Sequence, residues 1–123
     1  MAETHSIEKK AFALLTQYLA SKGRTVRPSD KKTFDCIVDD RYAELKAKGK
    51  PFQAFDFFFM SENQYRAAQE GSEFSLFLVC GVEDEANVQI FEIPSSRLRQ
   101  VKPKSEIHYY YDKGLVNQLL QAG

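Results

Sequence analysis

Thr33-Phe34-Asp35-Cys36-Ile37-Val38-Asp39-Asp40-Arg41-Tyr42-Ala43-Glu44-Leu45-Lys46-Ala47-Lys48 reads as two short strands around a polar turn. With Asp39-Asp40 as the turn, Val38 faces Arg41, Ile37 faces Tyr42 and Asp35 faces Glu44. A four-residue loop from Val38 to Arg41 keeps the same pairing. Directly opposed Cβ atoms lie about 4.5–5.5 Å apart, where like charges repel. Two carboxylates at that spacing call for positive charge between them, and a hard divalent cation such as Mg²⁺ prefers oxygen ligands. Lys46 is two residues beyond Glu44 and points to the same strand face. Two acids and a lysine at one point suit phosphodiester hydrolysis. They also suit a solvated surface hairpin, so the rest of the chain has to decide.

A helix over residues 5–21 precedes the hairpin. Ile7, Ala11, Leu14, Leu15 and Tyr18 form its apolar stripe, Thr4 or Ser6 can cap its start, and Gly23 suits its end. Residues 24–32 read as a basic loop containing Pro28. The hairpin strands cover about 33–38 and 42–47. Residues 52–60 are almost entirely apolar and read as a strand buried on both faces. Gln53 and Asp56 fall on opposite faces of that strand, so at most one faces the hairpin acids. Ser61 caps a helix over 62–70 that Gly71 ends, and 74–80 is a second buried strand. The acidic stretch 83–87 is a turn. Residues 88–93 form a strand stopped by Pro94, 106–111 suit a short edge strand, and Asp112 caps a last helix over 113–121. Leu115, Val116, Leu119 and Leu120 are the apolar stripe of that helix.

The predicted order is α-β-β-β-α-β, followed by further strand and a C-terminal helix. This is an α/β (α+β) fold, with a mixed central sheet flanked by helices in one domain over residues 1–123. The third strand, second helix and fourth strand permit a right-handed parallel crossover.

Of the 123 residues, 43% are apolar and 28% charged, the balance of a globular chain. No apolar run approaches the roughly 18 residues of a membrane span. The start of the chain has no signal-peptide core, which leads to the expectation of a cytoplasmic protein. Cys36 and Cys80 sit inside predicted strands, as buried free thiols. No Cys/His group has zinc spacing, and His5 and His108 stand apart. Net charge is zero but uneven. Residues 1–34 carry seven basic side chains against three acidic, and residues 56–92 one against eight. A basic face can hold a phosphate backbone while an acidic one stays clear. Arg24, Arg27, Lys31, Lys32, Lys48 and Lys50 lie near the hairpin and suit phosphate contacts; ordinary solvated charge accounts for them equally well.

The αβββαβ order, with Asp35 on the first strand and Glu44-Leu45-Lys46 on the second, resembles the PD-(D/E)XK nuclease superfamily of restriction-endonuclease-like fold. Within it, residues 5–93 are most similar to the small nuclease-like C-terminal domains of NO VEIN-type proteins. Two departures stand out: Phe34 occupies the position of the proline in the superfamily's name, and Gln64 lacks the tyrosine four residues later found in RecB-type exonucleases. The resemblance implies an Mg²⁺-dependent endonuclease acting on nucleic acid, expected to be DNA, with Mn²⁺ able to substitute. It implies metal binding by Asp35, Glu44 and the carbonyl of Leu45, a catalytic Lys46, and Glu8 on the first helix holding a metal-bound water or a second metal. As a first-turn acid, Glu8 equally suits the helix dipole. A nuclease of this kind that cuts both strands of a duplex is expected to act as a homodimer. The alternative is a catalytically silent module of the same fold that binds nucleic acid or a protein partner.

Overall fold

The computed structural model describes residues 4–121. In chain order the elements are α1 (Thr4–Ser21), β1 (Val26–Pro28), β2 (Cys36–Val38), β3 (Arg41–Lys48), α2 (Glu62–Gln69), β4 (Phe74–Cys80), β5 (Gln89–Pro94), α3 (Ser95–Leu98) and α4 (Lys113–Gln121). The five strands form one sheet in the order β1-β2-β3-β4-β5, antiparallel except for the parallel β3–β4 pair. The fold is α+β with a mixed sheet, as the pattern of elements predicted.

The β2–β3 hairpin has the predicted register: Val38 pairs with Arg41, Ile37 with Tyr42 and Cys36 with Ala43. Its turn places both Asp39 (φ 50°) and Asp40 (φ 67°) in the left-handed region. Two-residue hairpin turns require that geometry, and aspartate tolerates it better than most residues. The Asp39 carboxylate accepts from the Thr25 N–H at 2.9 Å and from Arg24 Nε at 2.8 Å, which ties the turn to the end of α1.

Period-2 alternation divides β3 and β4 into two faces. On one, α1 buries Ala11, Leu15 and Leu19 against Cys36, Val38, Ala43, Phe77 and Val79. Tyr18, expected on the apolar stripe, is largely solvent-facing, and Leu19 takes the core position. On the other face, Leu76, Leu78 and Cys80 pack beneath Phe55, Phe58, Met60, Phe91, Ile93 and Leu98. All seven residues of β4 are buried, as expected of a central strand. Cys36 and Cys80 are buried free thiols. Burial, aided by the charges of Asp35 and Glu44, pushes the Cys36 thiol up to about 11.

Three expectations need correction. Residues 52–60 do not form a sheet strand. They begin with a 3₁₀ turn over Phe52–Ala54 and continue as irregular extended chain across the sheet face. An apolar run signals burial without saying against what. Here β4 already occupies the place beside β3, and the segment belongs to the crossover that a parallel pair needs. A strand that the sequence reading missed supplies the third strand instead. It is β1, three residues within the supposed basic loop, ending on a proline as an edge strand can. Residues 106–111 are not a strand: Ile107, Tyr109, Tyr110 and Tyr111 stand in solvent. Helix α4 forms where expected, but its stripe of Leu115, Val116, Leu119 and Leu120 is exposed. Helix α1 already includes Ser6, and the side chains of Thr4 and His5 lie outside the described residues.

Candidate active site

Glu44 and Lys46 project from β3 on the face opposite α1, where Glu44 is only 9% exposed. Asp35 stands just ahead of β2. Its N–H donates to the Ala43 carbonyl at 3.1 Å, one residue off the regular pairing, and its Oδ2 accepts from the Leu45 N–H at 2.8 Å. Phe34 fixes this entry: its ring stacks on Tyr42 with centroids 5.2 Å apart and packs on Phe74 at 5.0 Å. The Asp35 carboxylate thereby stands near enough to the Glu44 carboxyl to raise its proton affinity. Lys46 Nζ lies 3.3 Å from Glu44 Oε2.

Glu44 is pushed up to about 7. Burial is the main cause and the hydrogen bond with Asp35 adds to it, while the Gln64 amide and the Lys46 ammonium pull the other way. Near neutrality Glu44 therefore often keeps its proton, because burial and the neighbouring Asp35 disfavour its charge.

Gln64 is the site residue to which the sequence reading gave no role. Ser61 caps α2 by accepting from the Gln64 N–H at 3.2 Å, which turns the Gln64 side chain inward. Its Nε2 donates to the Thr33 carbonyl at 2.7 Å, and its buried Oε1 has no hydrogen-bond partner. The available signal was a polar residue at the third helical position after a serine cap, too common to single out.

Glu8 is exposed on α1 and lines a cleft of about 350 Å³ with Lys9, Phe12, Asp35 and Leu45. The cleft brings Glu8 and Leu45 to Asp35, while Glu44 nears Asp35 from the other sheet face and carries Lys46 with it. Gln53 lies elsewhere, beside Asp84 and Asn87. Among the described residues no group of three His, Cys, Asp or Glu side chains is placed to hold an ion. The donor set nevertheless fits Mg²⁺, which keeps several waters and needs only one or two carboxylates. Two paired carboxylates beside an orphaned amide oxygen meet that need.

The basic residues differ in freedom. Arg24 donates to Asp39 and, through both terminal nitrogens, to Glu92 at 2.8 and 3.1 Å, so its charge holds the fold together. Arg27 pairs with Asp40 at 3.3 Å, and Lys31 sits 4.8 Å from the Tyr42 ring centroid. Lys48 lies 3.4 Å from Asp56. Lys32 and Lys50 are exposed.

A mixed five-stranded sheet carrying an acid, a Glu-x-Lys strand and a buried glutamine defines a compact α+β domain with one polar site on its sheet. The family model described as "Protein NO VEIN, C-terminal" matches residues 7–93, and the chain belongs to that family. The match runs from α1 into β5 and takes in Glu8, Asp35, Glu44, Lys46 and Gln64. No curated protein and no solved structure matches the chain. No helix among the described residues is long and apolar enough to cross a membrane.

Proposed function

We propose that this chain is a metal-dependent nuclease of the PD-(D/E)XK type that hydrolyses phosphodiester bonds, with DNA as its substrate. The observation that carries the reading is Asp35 Oδ2 held 2.8 Å from the Leu45 N–H, between Glu44 and Lys46, with Lys46 Nζ 3.3 Å from Glu44. The αβββαβ order also supports it, with the acid before β2 and Glu-x-Lys on β3 once β1 is counted. Asp35 and Glu44, with the Leu45 carbonyl, would hold Mg²⁺. The ion supplies charge for the phosphate and lowers the pKa of its bound water.

The residues then have distinct tasks. The Leu45 N–H orients Asp35. Glu44 must give up its proton before it can bind a cation. Lys46, released from Glu44 as that carboxylate turns to the cation, would stabilise charge on the phosphoryl oxygens and orient the attacking water. Gln64 holds Glu44 in position from α2. Glu8, across the cleft, would hold a further water. Lys32 and Lys50 are the best placed of the basic residues for backbone phosphates, being exposed.

The test is incubation of supercoiled plasmid and circular single-stranded DNA with the protein in Mg²⁺, in Mn²⁺ and in EDTA, alongside Glu44→Gln and Lys46→Ala. Metal-dependent nicking by wild type and none by either variant is expected. Wild type that leaves both substrates intact in both metals rejects the enzyme. The silent binding module is the second reading. It is favoured by the raised proton affinity of Glu44, which opposes the ionised carboxylate that a cation needs.

A further inference from the structure

Next to the carboxylate row lies an aromatic pair that the nuclease reading leaves unused. On β3 and β4, Glu44 pairs with Leu76, Lys46 with Leu78 and Lys48 with Cys80. The irregular segment after the 3₁₀ turn crosses this face, with Phe55, Phe58 and Met60 packed down on the β4 row. Phe57 and Phe59 alternate with them and turn outward, 51% and 65% exposed. Their rings meet edge to face with centroids 4.9 Å apart. Lys48 Nζ lies 5.3 Å from the Phe57 centroid and 5.7 Å from that of Phe55. Lys46 is two strand residues before Lys48, about 6.6 Å along the same face. The exposed rings therefore stand beside the site, one short step past its lysine.

Burying a phenylalanine is favourable, so two left in water against each other mark a contact surface. The neighbouring charge says what contacts it. Lys46, Lys48 and Lys50 follow one another along β3 and its end; Lys46 faces Glu44 and Lys48 faces Asp56, and the exposed Lys50 carries the row's charge out to a phosphate backbone. Phenylalanine offers no hydrogen bond, but its face stacks on any base. Bases within a duplex are already stacked on both sides, so only an unpaired base can use the rings. We propose that Phe57 and Phe59 form a stacking platform for an unpaired base of the strand whose phosphate occupies the Asp35–Glu44–Lys46 site. This rests on the nuclease reading and narrows its substrate to single-stranded or locally unpaired nucleic acid.

The experiment compares wild type with Phe57→Ala/Phe59→Ala, both checked by thermal unfolding. Anisotropy titrations in Ca²⁺ use three labelled probes of equal length: a thymidine strand, an abasic strand and a blunt duplex. Wild type is expected to prefer the thymidine strand to the abasic strand by about tenfold, the scale of base–aromatic stacking. The double variant is expected to lose that preference while keeping its affinity for the abasic strand. Equal loss on both strands, or no loss, overturns the platform and leaves the nuclease reading standing. Wild type that binds none of the three probes overturns both.

Discussion

Asp35 Oδ2 accepts a hydrogen bond from the backbone N–H of Leu45, 2.8 Å away, the residue between Glu44 and Lys46. One contact thus fixes the first acid against the strand that carries the other two groups. It gives Asp35 a structural task as well as the proposed catalytic one. Asp35→Ala removes the acceptor and is expected to destabilise the fold by about 1.5–3 kcal/mol, the worth of a hydrogen bond to a charged group. Asp35→Asn keeps an acceptor and should lose less than half of that, while losing metal-dependent cleavage as fully as the alanine variant. Urea unfolding and plasmid nicking on both variants check this. Equal stability losses would mean that the Leu45 contact is not what holds the hairpin.

The Glu44 carboxyl, pushed up to about 7 from an ordinary 4.5, makes stability depend on pH. The folded protein holds this proton more tightly than the unfolded chain does. The resulting stabilisation is full below about pH 4.5 and is lost as pH rises through about 7. Its size is on the order of 3 kcal/mol at about 1.36 kcal/mol per pKa unit. Glu44→Gln should therefore be more stable than wild type at pH 8 without metal, and the two should converge near pH 5. Denaturant midpoints across this range give the answer. A wild type whose stability does not fall between pH 5 and 8 contradicts the raised proton affinity of Glu44.

Metal should reverse that loss. A cation binds only after the Glu44 proton leaves, so apparent Mn²⁺ affinity is expected to rise with pH up to about 7 and level off above it. Calorimetry in buffers of different ionisation heat would count the released proton. At pH 8, adding Mg²⁺ should raise the melting temperature of wild type but not of Glu44→Gln, and EDTA should return it. A metal response retained by Glu44→Gln would move the site elsewhere.

Lys46→Ala is expected to abolish cleavage while leaving fold and metal binding largely intact. Its ion pair is with Glu44, and a partly exposed lysine on a strand is cheap to lose for stability. Loss of its charge should raise the proton affinity of Glu44 further, shifting the metal-binding curve to higher pH. Cleavage at the wild-type rate would remove Lys46 from the mechanism.

Nucleic-acid affinity should fall steeply with salt, with a logarithmic slope of about −0.9 for each phosphate neutralised on a duplex. Because Arg24 is spent on Asp39 and Glu92, Arg24→Ala should act on stability, whereas Lys32→Ala/Lys50→Ala should flatten the salt slope. Titrations in Ca²⁺ and in EDTA separate this term from the metal, which cancels the carboxylates of the site. Binding indifferent to both salt and metal would favour a protein partner.

The hairpin was legible because its signals are local. Two aspartates between alternating strands set the turn and the turn set the register; Asp35, one residue off that register, reaches the next strand through the Ala43 carbonyl and the Leu45 N–H. The strand 74–80 and helix α2 were equally plain, from unbroken apolar residues and from Ser61 and Gly71 at the helix ends. Residues 52–60 show where local reading stops. Their hydrophobicity required burial, but only the parallel pairing of β3 with β4 decided that they lie on the sheet rather than in it. The same pairing left Phe57 and Phe59 in solvent. β1 escaped notice because three residues ending in proline carry almost no pattern; its place depends on β2 offering a free edge. Gln64 joined the site only through the packing of α2 against Thr33, thirty-one positions away. The proton on Glu44 depends on burial and on Asp35 together. Sequence determined which residues pair within a hairpin, because that needs only neighbours. Tertiary structure decided what covers them, because burial and charge are properties of everything that packs around a side chain.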